Sequence, residues 1–365
     1  MKLSLSLLFL SLLGAPFSRA VDAPERAEDL AGARTYKAAA GPFAVQTVSG
    51  VVFRDEKRKK DLPVFVSFPQ GEGTFPIIVF SHGAGGNGDA GFAIVRHWTS
   101  HGYVVLCPTH ADSIKLRRAR GEAAGSDLRA LLRDSVGKDE NNLDRPKDVT
   151  LVLDSLDELE RKVPALSGHL DRERIGVGGH SFGAYTAQLI GGATVKLGGQ
   201  DHNLADARAK AILQLSGQGK DQQGLHEHSW DNFTRPLMSV TGSLDRGAQG
   251  QGPEWRRDPF KHSPPGGKYH VFIEGAHHGS FTGRFAEAAP GNESAGSGSG
   301  ARPRNLSPQR MVGRGGDQKT IFEWVKQATT AFWDAQIKAD ATAKAYLDSR
   351  KLTELSSGHL QLFRK

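Results

Sequence analysis

Short apolar runs alternate with longer amphipathic segments from Phe75 onward, and this alternation limits the folds that the chain can adopt. Several of the runs are almost continuously apolar, as is typical of parallel strands that are covered on both faces. The segments between them have helical spacing of apolar residues. Strand–helix alternation of this kind implies right-handed crossovers and a mostly parallel sheet. The sequence therefore predicts an α/β fold.

The expected sheet has about eight strands. Six of them are predicted at residues 76–80, 103–107, 175–178, 211–215, 237–241 and 268–273. Two further β-like runs precede these, at 43–53 and 62–68. Helices are predicted at 90–101, 145–159, 182–190, 317–337 and 341–352. The charged stretch 117–142 is expected to be a helical excursion over the edge of the sheet.

The N-terminal residues have the features of a signal peptide. Lys2 is followed by the apolar run Leu3–Leu13, and small residues precede a possible cleavage site after Ala20. We therefore expect residues 1–20 to be a signal peptide and the protein to be secreted or periplasmic. Residues 21–42 are expected to form a loosely held N-terminal extension. Residues 43–365 are expected to form a single α/β domain with a flexible Gly/Ser-rich insert at 289–304.

Composition excludes several classes of protein. Beyond the signal peptide, no apolar stretch reaches the roughly 18 residues of a membrane-spanning helix, so no integral membrane segment is expected. The basic residues are not interleaved with aromatic ones, which argues against nucleic-acid binding. Cys107 is the only cysteine, which excludes an intramolecular disulfide and a thiolate zinc cluster. It ends an apolar run and is expected to be buried in a strand.

A possible nucleophile lies in the segment Gly179–Gly183, which has the pattern G-x-S-x-G. A predicted strand precedes the segment and a predicted helix follows it. In that setting the serine lies on a sharp, strained turn with its hydroxyl exposed, and glycines are needed beside it for lack of space. Ser181 is therefore expected to be a nucleophile.

A serine hydroxyl needs a base, which is in turn oriented by a carboxylate. Asp245 and His278 both follow predicted strands, at the sheet edge where parallel α/β folds carry their chemistry. Their order after Ser181 is the one found in hydrolases of this topology. The adjacent His277 remains an alternative base. Alternative acids, which follow strand ends less closely, are Asp221 and Asp231.

Two backbone amides are expected to stabilise an oxyanion. One is the amide of Phe182, directly after the nucleophile. The other is the amide of Ala84, in a glycine-rich loop that follows the strand 76–80. Gly83 of this loop is expected to bring the backbone close to the substrate.

The loop before the strand 237–241 contains a tryptophan that could contact a substrate and two histidines that could bind a metal. Trp230 is expected to line an acyl or alcohol pocket, although capping of the sheet edge is an equally good interpretation. His226 and His228 lack the spacing of a zinc-binding helix, so a polar loop is expected there and no metal site.

Four motifs in this order resemble those of the α/β-hydrolase superfamily over residues 45–340. They are Phe80–Gly83, Arg174–Gly183, Thr241–Asp245 and His278–Phe281. Within the superfamily the chain is similar to the dienelactone-hydrolase-like esterases related to platelet-activating-factor acetylhydrolases and chlorophyllases. It differs from true dienelactone hydrolases in having serine where they have cysteine. It also has Ala184 where acetylhydrolases tend to have a second glycine.

The resemblance implies hydrolysis of carboxylic esters with short or modest acyl groups, without a metal or an organic cofactor. The expected substrate is a small-molecule ester or a polyester. Two alternatives remain open from the residues. One is an amidase or peptidase that uses the same three side chains. The other is a catalytically silent binding protein built on a hydrolase fold.

Overall fold

The computed structural model describes residues 35–122, 127–286 and 316–365. The predicted signal peptide, most of the predicted extension and the insert at 289–304 lie outside the described residues. The helices of the described part are α1 (Phe92–Ser100), α2 (Ile114–Ala119), α3 (Leu128–Gly137), α4 (Asp139–Asp154), α5 (Leu156–Lys162), α6 (Phe182–Gly191), α7 (Asp258–His262), α8 (Gln318–Ile337), α9 (Ala341–Asp348) and α10 (Lys351–Leu355). None of them is long and apolar enough to span a bilayer.

The described residues form one large sheet and a separate two-stranded hairpin, which lies between two strands of the large sheet in the sequence. The strands are β1 (Ala44–Asp55), β2 (Lys60–Gln70), β3 (Phe75–Ser81), β4 (Val104–Pro108), β5 (Leu170–His180), β6 (Thr194–Leu197), β7 (Gln200–Asn203), β8 (Ala209–Leu215), β9 (Leu237–Leu244), β10 (Lys268–His277) and β11 (Leu360–Arg364). The order in the nine-stranded sheet is β1-β2-β4-β3-β5-β8-β9-β10-β11. The six central strands, β4 to β10 in this order, are parallel. The predicted α/β class is confirmed.

The structure differs from the predicted elements in several places. The helix predicted at 145–159 is two helices, α4 and α5, which are separated at Ser155. The hairpin β6–β7 was not predicted, although its turn carries a signal. Gly198 and Gly199 have φ values of 56° and 77°, as a two-residue hairpin turn with left-handed backbone requires. The edge strand β11 was also not predicted.

Each face of the sheet is covered by helices, which gives two apolar layers. On one face α4 and α6 contribute Val149, Val152 and Tyr185 to the core. On the other face the packing includes an edge-to-face pair between Trp98 of α1 and Trp333 of α8, whose ring centroids are 5.9 Å apart. The two layers leave the carboxyl ends of the parallel strands as the edge where loops can present polar side chains.

The described end of the predicted N-terminal extension makes specific contacts with α8. The hydroxyl of Tyr36 donates to Asp334 Oδ2 at 2.8 Å, and Lys37 Nζ lies 2.5 Å from the same oxygen. Tyr103 donates to the other oxygen at 2.7 Å. This buried carboxylate thus ties residues 36–37 to the domain, so this part of the extension is not loosely held.

We expect Gly176→Ala to lower the free energy of unfolding by about 1–3 kcal/mol, as overpacking of a core does. Gly176 lies in β5, and a Cβ there would come within 2.5 Å of Cζ3 of Trp333. Gly137→Ala is the control, because an added Cβ there would meet no described atom within 4 Å apart from its chain neighbours and its own helix. Urea titrations of both variants test this, and equal midpoints would contradict the tight packing.

Candidate active site

The nucleophile predicted from the sequence lies on a strained turn between β5 and α6. Ser181 has φ 55° and ψ −118°, a backbone conformation that is costly for a residue with a side chain. The flanking glycines have no room for a side chain, since a Cβ at Gly183 would overlap the backbone of Ser81 and one at Gly179 would overlap Gly183. The turn therefore directs the side chain of Ser181 away from the packed backbone.

His278 and Asp245 lie beside Ser181, directly after β10 and β9. His278 Nε2 lies 3.0 Å from Ser181 Oγ, and His278 Nδ1 lies 3.0 Å from Asp245 Oδ1. The side chain of His278 is 44% exposed, whereas that of Asp245 has no exposed surface. With the Nδ1 proton donated to the carboxylate, Nε2 is free to accept the serine proton. The three predicted residues form one hydrogen-bonded array.

The alternative base and acids do not join this array. His277 packs its ring against Phe285, with centroids 5.2 Å apart, and its Nδ1 accepts a hydrogen bond from the amide of Gly279 at 3.2 Å. Asp231 pairs at the surface with His228. The amide of Asp221 bonds to the carbonyl of Leu225 within its own loop.

The carboxylate of Asp245 is buried among donors. Thr241 donates to Oδ2 at 3.0 Å, and Arg256 Nε lies 3.0 Å from the same oxygen. Ser216 donates to Oδ1 at 2.9 Å. Burial by itself raises the pKa of Asp245, but the hydrogen bond from His278 and the charge of Arg256 outweigh it and hold the pKa below its ordinary value. Asp245 therefore remains ionised at neutral pH.

Ser216 and Arg256 belong to the site and were not predicted. Ser216 follows β8 with a left-handed φ of 58°, and its Oγ lies 2.7 Å from His278 Nδ1. Arg256 is almost completely buried and also donates to four carbonyls, those of Ser216, Gly217, Asp245 and Arg246. The position of Ser216 at a strand end was a usable signal. Arg256 lies in the short 3₁₀ helix Pro253–Arg257, and its sequence carried no such signal.

His180 connects the turn to the loop of the base. Its Nε2 donates to the carbonyl of His278 at 2.7 Å, and the two rings are 4.9 Å apart. Burial, followed by the proximity of His278, lowers the pKa of His180 to about 3. The neutral imidazole thus holds the loop of His278 against the turn of Ser181 without adding a positive charge.

The two residues predicted to donate to an oxyanion are Phe182, directly after the nucleophile, and Ala84, in the loop beside its turn. Phe182 is the first residue of α6, so its amide has no partner within the helix. Gly83 is packed beside the turn, and a Cβ added to it would lie 3.5 Å from Ser181 Cβ. No acceptor within the described residues bonds to the amide of Ala84, the next residue. The loop therefore brings its backbone next to Ser181.

Trp230 does not line the site. It is completely buried, its Nε1 donates to Gln188 Oε1 at 2.8 Å, and its ring stacks on His262. The prediction that this side chain lines a substrate pocket is therefore wrong. The indole fills the core beside α6, where its one polar atom finds a buried partner.

A second serine–histidine–aspartate set lies in the core. Ser81 Oγ is 2.8 Å from His110 Nε2, and His110 Nδ1 is 2.9 Å from Asp148 Oδ2. All three side chains are completely buried. Burial, followed by the charge of Arg145, lowers the pKa of His110 well below its ordinary value. This set joins β3 and the end of β4 to α4, and its hydroxyl has no access to a substrate.

The other candidate ligands and nucleophiles are not assembled into a site. The rings of His226 and His228 are 6.4 Å apart, and the described residues contain no group of three or more side chains arranged to hold a metal ion. Cys107 is completely buried in β4, and burial raises the pKa of its thiol.

We expect the stabilising effect of Asp245 to depend on pH. Its folded pKa is lowered, so its contribution is fully present above the unfolded pKa of about 3.9 and is lost as the pH falls through the folded value. The difference in free energy of unfolding between wild type and Asp245→Asn should therefore shrink on acidification. Urea titrations from about pH 7 to about pH 3 measure it. Asp231→Asn, at an exposed carboxylate, is the control, and a difference that grows in acid would contradict the expectation.

Part of the chain is similar to a known protein family. The chlorophyllase family model matches residues 36–125, about a quarter of the chain, which include β1 to β4 and the loop of Gly83 and Ala84. That family consists of serine esterases of the α/β-hydrolase type. A search of curated proteins finds no match. The chain therefore has the α/β-hydrolase fold, and over residues 36–125 it is similar to a family of ester hydrolases with that fold.

Proposed function

We propose that the protein is a serine esterase that cleaves carboxylic esters through an acyl-enzyme on Ser181. The single observation that supports this most strongly is the array of Ser181, His278 and Asp245, with two hydrogen bonds of 3.0 Å, on a strained turn at the carboxyl edge of the sheet. The match to a family of serine esterases supports the same reaction class.

In the proposed reaction Ser181 Oγ attacks the ester carbonyl while His278 Nε2 takes its proton. Asp245 holds the imidazole in the required tautomer and stabilises the imidazolium that forms. The amides of Phe182 and Ala84 donate to the oxyanion of the tetrahedral intermediate. His278 then protonates the leaving alcohol. Water, activated by the same histidine, hydrolyses the acyl-enzyme and releases the acid.

The proposed substrates are esters with short or modest acyl chains, including polyesters. This range follows from the resemblance to the dienelactone-hydrolase-like and acetylhydrolase-like branch, and a chlorophyllase match is compatible with it. The near-half exposure of His278 also favours an ester that reaches the site from the surface. Cleavage of amides by the same residues is the second candidate, and hydrolysis of an ester compared with its matching anilide separates the two.

We expect Ser181→Ala to lower the hydrolysis of p-nitrophenyl acetate, butyrate and octanoate by several orders of magnitude, with the fold retained by circular dichroism. Loss of a nucleophile in a serine hydrolase typically costs about 10⁶-fold in kcat. The rates on the three esters report the acyl preference. Equal, slow rates for wild type and variant would exclude Ser181 as the nucleophile for these esters.

Labelling with a fluorophosphonate separates an active enzyme from a silent binding protein. The expected site of labelling is Ser181, identified by mass spectrometry of the labelled peptide. Ser81 serves as the internal control, because it has the same type of histidine partner but no exposed surface. Absence of labelling at Ser181 in the folded wild type would favour the binding protein.

We also propose that the protein is secreted or periplasmic. The N-terminus of protein recovered from the periplasm or medium of an expressing bacterium should be Val21. Ala20→Arg should leave the precursor uncleaved, because the position before the cleavage site requires a small residue. An unchanged Met1 on the exported protein would contradict cleavage at this site.

A further inference from the structure

Arg145 of α4 is buried beneath the loop that carries Gly83 and Ala84. Its Nη1 donates to the carbonyl of His82 at 2.6 Å, and its Nη2 donates to the carbonyl of Gly83 at 3.3 Å. The side chain is 1% exposed. A guanidinium in this position fixes two successive carbonyls of the loop from the inside of the protein.

The carbonyl of Gly83 and the amide of Ala84 belong to one planar, trans peptide unit, so they point in opposite directions. The carbonyl is held inward by Arg145 and also by His82 Nδ1, at 2.6 Å, and by the amide of Gly86, at 3.1 Å. The amide of Ala84 is consequently directed away from these donors. A rotation of this peptide would remove the second donor from the oxyanion and offer a carbonyl oxygen in its place.

The same guanidinium contacts the residue that supplies the first donor. Its Cζ lies 4.0 Å from the centroid of the Phe182 ring, in a cation–π arrangement. The amide of Phe182 begins α6, and its side chain is completely buried. Arg145 therefore packs against one oxyanion donor and hydrogen-bonds to the peptide unit of the other.

Asp112 fixes the orientation of the guanidinium. Arg145 Nε lies 2.9 Å from Oδ1 and Nη2 lies 2.8 Å from Oδ2, which is a bidentate pair. Oδ2 also accepts from the amide of Gly85 at 3.0 Å, one residue beyond Ala84. The carboxylate thus holds the arginine and the far side of the loop at the same time.

We propose that Arg145, oriented by Asp112, is a positioning residue that holds the amides of Ala84 and Phe182 in the geometry of an oxyanion hole. This inference rests on the proposed esterase function and adds a residue to it. A lysine cannot replace the arginine, because one ammonium cannot form the bidentate pair, reach both carbonyls and stack on Phe182.

The test is the effect of Arg145→Lys on a matched pair of esters, p-nitrophenyl acetate and its thionoacetate. The oxyester develops an oxyanion that uses the hole, whereas the sulfur of the thionoester is a poor acceptor of these hydrogen bonds. We expect kcat/KM for the oxyester to fall roughly 10- to 100-fold, mostly in kcat, since removal of one whole donor costs about 10²–10³-fold. For the thionoester we expect a fall of less than about threefold.

An inhibitor that forms a tetrahedral adduct tests the oxyanion hole of wild type and Arg145→Lys without the need for a thionoester substrate. An aryl trifluoromethyl ketone forms an adduct on Ser181 whose oxygen occupies the hole. Its inhibition constant should rise with Arg145→Lys by about the same factor as the oxyester kcat/KM falls. An unchanged inhibition constant would overturn the proposal.

Arg235→Lys is the matched control. Arg235 also donates to backbone carbonyls, those of Ala209, Gly191 and Asp206, but it lies away from the loop of Gly83. Any effect of Arg235→Lys should be on stability and equal for the two esters. An equal loss on both esters with Arg145→Lys would assign Arg145 a merely structural role.

Arg145→Lys leaves Asp112 with a poorly matched partner in the core, so a second variant is needed in case the first does not fold. The double variant Arg145→Gln with Asp112→Asn removes both charges, so no buried charge is left unpaired. It should show the same loss confined to the oxyester. Failure of the wild type to hydrolyse any ester would overturn the esterase function, whereas normal wild-type turnover with no oxyester-selective loss would overturn only the role of Arg145.

Discussion

The backbone at the end of β3 lies directly against the turn of the nucleophile, and the geometry of the site depends on this contact. The carbonyl of Ser81 packs on Gly179 and Gly183, where any side chain would collide with it. The next residues of the loop are thereby brought to Ser181, so that a Cβ added to Gly83 would lie 3.5 Å from Ser181 Cβ. Nucleophile and oxyanion loop are thus fixed relative to each other by main-chain packing, which tolerates no change in size.

The parts of the site that follow from such main-chain constraints were predictable from the sequence. Ser181, Asp245 and His278 each follow a parallel strand, and the carboxyl ends of parallel strands meet at one edge of the sheet. Apolar runs locate the strands, and strand ends locate the loops, so local patterns were enough to bring together residues about a hundred positions apart. Ser216 also directly follows a parallel strand, β8, and could have been predicted as a residue of the site for the same reason.

The buried polar partners were not predictable in this way. Arg145 and Arg256 both stand among other charged residues, a pattern that is typical of a solvated surface, and only tertiary packing buries them. Trp230 illustrates the converse, since an aromatic side chain suits a pocket and a core equally well. The buried hydrogen bond from its indole to Gln188 of α6 shows that this side chain belongs to the core. Long-range partners of this kind carry no local periodicity.

The two serine–histidine–aspartate sets have the same pattern of hydrogen bonds, but only the set of Ser181 is accessible to a substrate. Ser181 and Ser81 lie 3.0 Å and 2.8 Å from a histidine Nε2, and each histidine contacts a buried carboxylate through Nδ1. The difference lies in exposure and in what surrounds the serine. His278 is 44% exposed and Ser181 lies beside the loop of Gly83, whereas the set of Ser81 is completely buried in the core. A nucleophile needs access and pre-aimed donors in addition to a base, and Arg145 contacts the two elements that carry the donors proposed here.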